Sequence, residues 1–448
     1  MNWLPREVEP VSLAESRSAA RQHALLEAKR RFADARPYGR RLHEEACKWL
    51  PGGNTRTVLF HEPFPLSVRS ADGSQIWDHD GHCYIDFLND HTAGLFGHSD
   101  ATITDAVKMA LAGGLNGCGN TLSEVEAASL VCNRFKSIEK VRFTPSGTEA
   151  NLMALTLAKV ATGRSRIIVF LGAYHGSGLL FRKGRAGTNL PFKFVVVEYN
   201  DWRGLELAFE KCAHDIAAVL VEPMLGSGGC IPADKAFLNA ARRLTRDSGA
   251  LLIFDEVMTS RLAWGGLQGT YGVSPDLTTL GKYLAGGLPI GAFGGDARLM
   301  SFLDPANPDS MSHNGTFNNN AVSMAATVAA LQSYDRAAAQ SLNGMGDRLR
   351  RELNNAGQGR GAALCFGGLG SMLHFHTQSR PPRCYMEPSA ADQDLRTLLY
   401  FDLLEHGMRI SPKGLLSLSR QNTLDDCNLL VEGFSSFLDQ RAGLLDHS

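Results

Sequence analysis

The chain has no C-x-x-C pair; its nine cysteines are scattered over 448 residues. That pattern excludes a disulfide framework and reads as reduced thiols in a cytoplasmic protein. There is no surplus of either charge: 45 basic residues face 46 acidic ones, for a net charge of −1. A general electrostatic footprint for nucleic acid or an anionic membrane is therefore absent. No apolar run reaches the roughly eighteen residues that a membrane span needs. The opening residues, MNWLPREVEPVSLAESRSAARQ, lack the apolar centre of a signal peptide and carry acids that a transit peptide would not. The expectation is a cytoplasmic protein with no nucleic-acid or membrane partner.

Three common catalytic signatures are missing as well. The segment before Lys282 is not a phosphate loop, because Asp276 holds the early glycine position and Tyr283 follows the lysine. HEEAC at 43–47 is not H-E-x-x-H, and no G-x-S-x-G elbow occurs.

What is present is ordinary globular material, 44% hydrophobic and 20% charged. Residues 12–50 read as helical, and PGGN at 51–54 breaks the pattern. PLSVRSADGSQIWDHDGHCYIDFLN reads as short strands divided by turns at Asp72-Gly73 and Asp80-Gly81. From about residue 100 the texture changes. Strand-like runs VRFTP (141–145), RIIVF (166–170), FKFVVVE (192–198), AAVLVEP (217–223) and ALLIFDE (250–256) alternate with helical stretches. Such alternation predicts an α/β fold with a mostly parallel central sheet flanked by helices. NNNAVSMAATVAALQSY (318–334) reads as a long helix leaving that sheet. Three parts are expected: residues 1–85, helices and short strands packing with a small domain; 86–330, a large ligand-binding domain; and 331–448, the C-terminal small domain.

In open parallel sheets, ligands sit beyond the carboxyl ends of the strands. After VRFTP comes SGTEA, where Ser146, Gly147 and Thr148 open a helix. Free N–H groups and the helix dipole there suit an anion, although taken alone the stretch reads better as an ordinary N-cap with a capping box. After RIIVF come Tyr174 and His175 among glycines, an aromatic placed to stack on a flat ligand or simply to pack on the sheet edge. Glu222, Asp255 and Glu256 end two apolar strands, where a carboxylate is costly unless paired. Lys282 is the one cation in DLTTLGKYLAGGLPIGAFGG (276–295). Together these residues suit a flat, phosphorylated aldehyde whose ring nitrogen profits from a carboxylate: pyridoxal 5'-phosphate. A buried lysine has a depressed pKa and offers a neutral amine for a Schiff base.

The series SGTEA, YHG, VEP, LLIFDEV, TTLGKYLAGGLPIGAFGG and GTFNNN resembles the class III aminotransferases of PLP fold type I, close to the glutamate-1-semialdehyde aminomutase branch. The resemblance spans about residues 35–435. PGGNTRTVLFHEPFPLSV, FDEVMTSRLA and HNGTFNNN are similar to the β-amino-acid (β-phenylalanine) aminotransferases. The fold type implies a smaller α+β domain formed by the N- and C-terminal parts. The resemblance also implies roles. Lys282 carries the cofactor as a Schiff base, and Asp255 pairs with its ring nitrogen. Tyr174 and Val257 cover the two ring faces, and Ser146, Gly147 and Thr148 hold the phosphate. Glu222 orders the site. Thr316 reaches the phosphate in a neighbouring subunit, which makes the active unit a homodimer with sites at the interface. Arg56 binds the substrate carboxylate.

Two positions depart from the pattern. Pro145 stands where an asparagine is common. In ISPKGLLSLS, Lys413 replaces the arginine of a PRG segment, keeping the charge but losing the bidentate fork; Arg409 lies four residues earlier. The implied reaction moves the amino group of a β-amino acid to a 2-oxo acid, 2-oxoglutarate or pyruvate. Its rivals are a 2,1-aminomutase, an ω-amino-acid or amine aminotransferase, and a non-catalytic protein of the same fold.

Overall fold

The helical stretch at the start of the chain is two helices, Leu13–Asp34 and Pro37–Ala46. Pro37 lies in the first turn of the second, where its missing N–H costs nothing, and it bars the first helix from continuing. The computed structural model describes residues 13–114, 119–183 and 186–446. Most of the opening segment and Cys118 lie outside those residues.

The predicted short strands follow as β1 (Val68–Asp72), β2 (Gln75–Asp78) and β3 (Cys83–Asp86), an antiparallel meander turning at Gly73 and Gly81, both with positive φ. The next strands match the apolar runs: β4 (Lys140–Thr144), β5 (Arg166–Phe170), β6 (Lys193–Val197) and β7 (Ile216–Val221). A small ribbon, β8 (Met224–Leu225) with β9 (Ile231–Pro232), precedes β10 (Leu251–Asp255).

The glycine-rich run at 276–295 folds into two buried strands, β11 (Leu277–Gly281) and β12 (Gly291–Gly295), with a short helical turn at Lys282–Ala285 between them. The large sheet has seven strands in the order β4-β12-β11-β10-β7-β5-β6. Only β12 is antiparallel to its neighbours, so the sheet is mixed but mostly parallel. The glycines of β12 answer to close approach: a Cβ at Gly291 would collide with the Ser146 carbonyl, and one at Gly295 with that of Asp276. Helix Ala321–Ser333, capped by the Asn320 side chain, leaves the sheet as expected.

The C-terminal part holds β13 (Cys365–Leu369), β14 (Met372–His376), β15 (Met408–Arg409) and β16 (Leu415–Ser417). Strand β15 pairs in parallel with β3, so the two ends of the chain share one four-stranded sheet. One apolar core covers the large sheet from Ala150 to Leu303 and reaches Tyr385; a second joins Phe32, Phe87, Met324, Phe375 and Phe437 across the chain. Among the described residues, no helix is long and apolar enough to cross a membrane.

Candidate active site

Five parallel strands deliver the candidate residues from their carboxyl ends. Ser146 follows β4, Tyr174 follows β5, Glu222 follows β7, Asp255 ends β10 and Lys282 follows β11. A cavity of about 150 Å³ gathers Gly147, Thr148, Tyr174, Glu222, Asp255, Val257 and Lys282 on its walls. Ser146 stands just behind it as N-cap of helix Gly147–Thr162, its Oγ accepting the Glu149 N–H at 3.2 Å. That helix presents its N-terminal N–H groups and positive dipole end to the cavity. Gly147 is required by packing: a Cβ there would lie 2.8 Å from both methyls of Val257.

Asp255 is buried and fixed from several sides. Its Oδ2 accepts hydrogen bonds from Asn151 Nδ2 (2.8 Å) and His175 Nδ1 (2.7 Å), and its Oδ1 from the Val257 N–H (3.0 Å) and Thr279 Oγ1 (3.4 Å). Asn151 is itself oriented by Thr279, whose hydroxyl donates to Asn151 Oδ1 at 2.6 Å. Neither Asn151 nor Thr279 was visible as a site residue in the sequence, and His175 showed only as the neighbour of an aromatic. Each lies inside a motif, in SGTEAN, YHG and TTLGK, but nothing in those strings says they converge on one carboxylate.

Glu222 accepts the N–H groups of Tyr174 (3.3 Å) and Gly226 (3.0 Å). Burial, reinforced by the Asp255 charge, raises its pKa well above the usual range. His175, Glu222 and Asp255 bring their polar atoms within 4.8 Å of one another, a donor set that favours a positively charged group. Glu256, one residue on, faces away: its carboxylate accepts the N–H groups of Leu267 and Gln268 and the Thr259 hydroxyl. It is a structural acid.

Lys282 sits at φ +55°, a left-handed conformation that is uncommon for a side-chain-bearing residue and costs on the order of 1 kcal/mol or more. Its ammonium pKa is lowered, first by burial, with Arg56 adding to the effect and Asp90, Asp255 and Glu222 opposing it. A second left-handed feature stands beside it. Asn89, Asp90, His91 and Thr92 all have positive φ, forming one left-handed turn. Buried Arg261 holds the end of that turn through the Thr92 carbonyl at 3.1 Å and also bonds the Leu418 carbonyl and Ser371. The turn offers Asp90 to Arg56 Nη1 at 2.6 Å. Burial works against ionisation of Asp90, but the hydrogen bond and charge of Arg56 hold its carboxyl below the usual range. His91 is pushed down to about 4 by burial and then by the charges of Lys282 and Arg56.

The remaining sequence candidates are not gathered with the first group. Arg56 lines a second cavity of about 350 Å³ together with Arg409, which lies 3.8 Å from Asp86. Lys413 lines a third, of about 590 Å³. Arg409 therefore shares a cavity with Arg56, while Lys413 lines the adjoining one. His91, Val58, His61 and Pro412 form the wall common to both larger cavities. Thr316 lines none of the three cavities and is exposed, next to Phe317.

The site fits pyridoxal phosphate by its chemistry: a helix N-terminus for an anion, a lysine with lowered pKa for an aldehyde, and a fixed carboxylate for a ring nitrogen. The comparisons agree. The family described as aminotransferase class-III matches residues 60–181 and 191–414. A beta-phenylalanine transaminase from Variovorax paradoxus is 46% identical over 428 residues, covering 95% of this chain and 98% of the relative. The crystal structure of a beta-phenylalanine aminotransferase from that organism superposes with a TM-score of 0.94 at 45% identity, over 96% of this chain and 100% of its own. An omega-transaminase from Sphaerobacter thermophilus has a TM-score of 0.86 at 35% identity, covering 90% of this chain and 97% of its own. A glutamate-1-semialdehyde 2,1-aminomutase from Bacillus pumilus is 35% identical over 409 residues, 87% of this chain and 95% of the relative.

Proposed function

The chain belongs to the class III aminotransferases, which use pyridoxal phosphate on a type I fold, and from that premise we propose that it transfers the amino group of a β-amino acid such as β-phenylalanine to a 2-oxo acid. The observation that carries this reading is the Arg56–Asp90 pair set beside Lys282, across the chain from Lys413. A β-amino acid carries its carboxylate one carbon further from the reacting carbon than an α-amino acid does. Arg56 offers a cation that acts on Lys282 and lines a cavity apart from that of Lys413.

When bound, pyridoxal phosphate supplies an aldehyde that takes up amines and a ring that accepts the electron pair released at the neighbouring carbon. Ser146, Gly147 and Thr148 hold the phosphate with a hydroxyl and helix N–H groups. Asp255, oriented by Asn151 and His175, keeps the ring nitrogen protonated. Tyr174 and Val257, on the cavity wall, would cover the ring faces, and Glu222 would order the site. Lys282, with its lowered pKa, holds the aldehyde between turnovers. With the cofactor bound, Lys282 Nζ would take the proton from the amine-bearing carbon as general base and pass it on to the cofactor, and would carry a proton the opposite way in the acceptor half-reaction.

The reading includes a homodimer in the cytoplasm. Phe317, beside Thr316, is 65% exposed, and Leu122 and Val125 on helix Leu122–Arg134 are 73% and 62% exposed. Asn319 ties the Thr316 loop to that helix through Glu124 at 3.1 Å. This makes one apolar face next to the residue offered to a neighbour's cofactor. The eight described cysteines are free, in keeping with a reducing compartment.

The test is turnover of β-phenylalanine with and without 2-oxoglutarate or pyruvate. Loss of substrate should require the acceptor and yield one new amino acid per 3-oxo acid formed. Turnover without any acceptor would replace this reading with an aminomutase.

A further inference from the structure

Arg261 is a cation in the core whose hydrogen-bond partners are all uncharged. It sits on the short helical turn Thr259–Leu262 that follows β10, fully buried. Its Nη1 donates to the Thr92 carbonyl at 3.1 Å, its Nε to Ser371 Oγ at 3.2 Å, and its Nη2 to the Leu418 carbonyl. Burial draws its pKa down to about 10, with Tyr334 and Tyr283 opposing. A guanidinium kept in the interior by neutral acceptors alone works against stability. What it provides is a three-way tie.

The three acceptors come from three segments. Thr92 closes the left-handed turn at 89–92, Ser371 lies between β13 and β14, and Leu418 follows β16. The base of the arginine is itself fixed. Its carbonyl accepts the Tyr334 hydroxyl at 2.8 Å and Asn343 Nδ2 at 3.2 Å, and Asn343 Oδ1 also accepts the Ser371 N–H at 2.8 Å. The other end of the turn has a matching tie: Asn89 Nδ2 donates to the Ser417 carbonyl at 2.7 Å, and Ser417 Oγ to the Leu88 carbonyl at 2.8 Å. Residues 417 and 418 thus grip the turn at both ends, directly at Asn89 and through Arg261 at Thr92.

Between those ends stand Asp90, bonded to Arg56 Nη1 at 2.6 Å, and His91. The charged and titratable groups around Lys282 come from two sources. Asp90, His91 and Arg56 belong to the turn and its partner; Asp255, Glu222 and His175 belong to the strand ends. Asp255 and Glu222 are held within the large domain, by Asn151 and by the Gly226 N–H among others. Asp90 depends on four consecutive positive φ angles, which local preference does not maintain in side-chain-bearing residues.

We propose that Arg261 is a positioning residue for the reaction: by tying the Thr92 carbonyl to Ser371 and Leu418 it holds Asp90 against Arg56, and so passes the seating of the C-terminal part on to Lys282. Arg261 lines none of the three cavities and acts only through the turn. A lysine gathers its donors on one nitrogen, whereas the guanidinium spreads them over three in fixed directions. Lys282 keeps the Asp90 carboxylate, which favours its charged form, only while the C-terminal part is docked. The consequence for catalysis rests on the transaminase reading.

The experiment reads Lys282 directly. The full chain, freed of cofactor, is treated with acetic anhydride across a pH series, and modification at Lys282 is followed by peptide mass spectrometry. The pH of half-maximal labelling rate should fall by about half a unit in Arg261→Lys, the direction expected of Asp90→Asn. In the Asp90→Asn background the same substitution should add no further shift. Tyr334→Phe removes the bond to the Arg261 carbonyl and leaves the guanidinium in place, so it should lower the melting temperature and leave the labelling pH unchanged. If melts show that Arg261→Lys does not fold, Ser371→Ala, which removes one of the three acceptors, decides: a smaller fall of the same sign supports the assignment, and no fall overturns it. An unchanged labelling pH in folded Arg261→Lys, an equal shift with and without the Asp90 carboxylate, or a shift in Tyr334→Phe as large as in Arg261→Lys would overturn it too. Labelling needs no turnover, so failure of β-phenylalanine transfer would sink the proposed activity and leave this result standing.

Discussion

Asp255 gains its position from residues on three other segments: Asn151 from a helix, His175 from a loop and Thr279 from the neighbouring strand. A carboxylate held this way does not swing, which is what a fixed charge against a ring nitrogen requires. Asp255→Asn keeps the shape and removes the charge. We expect kcat/KM to fall on the order of 10²–10³-fold, equivalent to about 3–4 kcal/mol of transition-state stabilisation, in a protein that still melts near the wild-type temperature. Lys282 answers to its neighbours with opposite signs. Arg56 pushes its pKa down and Asp90 pulls it up. The pH at which apoenzyme captures pyridoxal phosphate at half its maximal rate should therefore lie below the ordinary lysine range. It should fall further in Asp90→Asn and rise in Arg56→Ala, as read from the absorbance change on capture. Lys282, Asp255 and the SGT turn were legible in the sequence because each follows an apolar strand. The supporting residues were not, because they meet only once the strands are laid side by side. The placing of Arg409 with Arg56 was equally hidden, since it depends on which way the short strand β15 faces.

The strands rich in Val, Ile and Phe announced themselves, and each formed within a residue or two of its expected bounds. Strand β12, Gly-Ala-Phe-Gly-Gly, did not. Its glycines carry no strand propensity, and what selects them is the backbone of β4 pressing on one side and of β11 on the other. The left-handed turn at 89–92 was silent too. Asn and Asp tolerate positive φ, but Thr does not favour it, and only the long-range bond from Arg261 accounts for its persistence there. A similar constraint governs the start of helix Gly147–Thr162. In Gly147→Ala the new methyl must push Val257 toward the cavity, and the dissociation constant for pyridoxal phosphate should rise about tenfold, or about 1.4 kcal/mol. Trimming Val257 to Ala in the same chain should recover most of that loss, and a double-mutant cycle on cofactor affinity measures the coupling.

At the scale of the whole molecule, the exposed apolar face around Leu122, Val125 and Phe317 should hold two copies together. Leu122→Glu with Val125→Glu should give a monomer by light scattering, with weakened cofactor retention, since Thr316 then has no neighbour to reach. Acid should also find the protein vulnerable. His61, His91 and His376 are pushed down to about 4 and His374 well below the ordinary imidazole range, in each case chiefly by burial. Unfolding lets them regain protons at their ordinary pKa near 6.5, so the unfolded state binds more protons. Stability is then full above about pH 6.5 and drains away as pH falls toward 4, by up to about 1.4 kcal/mol per pH unit for each histidine. Urea midpoints at pH 7.5, 6 and 5 should fall accordingly, and less steeply in His376→Gln. The pairing of β3 with β15 has a further consequence, for synthesis. A chain still on the ribosome and short of Met408 can complete every strand of its large sheet, yet β3 waits with one edge bare. The sheet that frames Arg56 and Arg409 closes only once Met408 and Arg409 have been made. Nonsense truncations before Met408 should therefore yield not a weakened enzyme but an adhesive fragment.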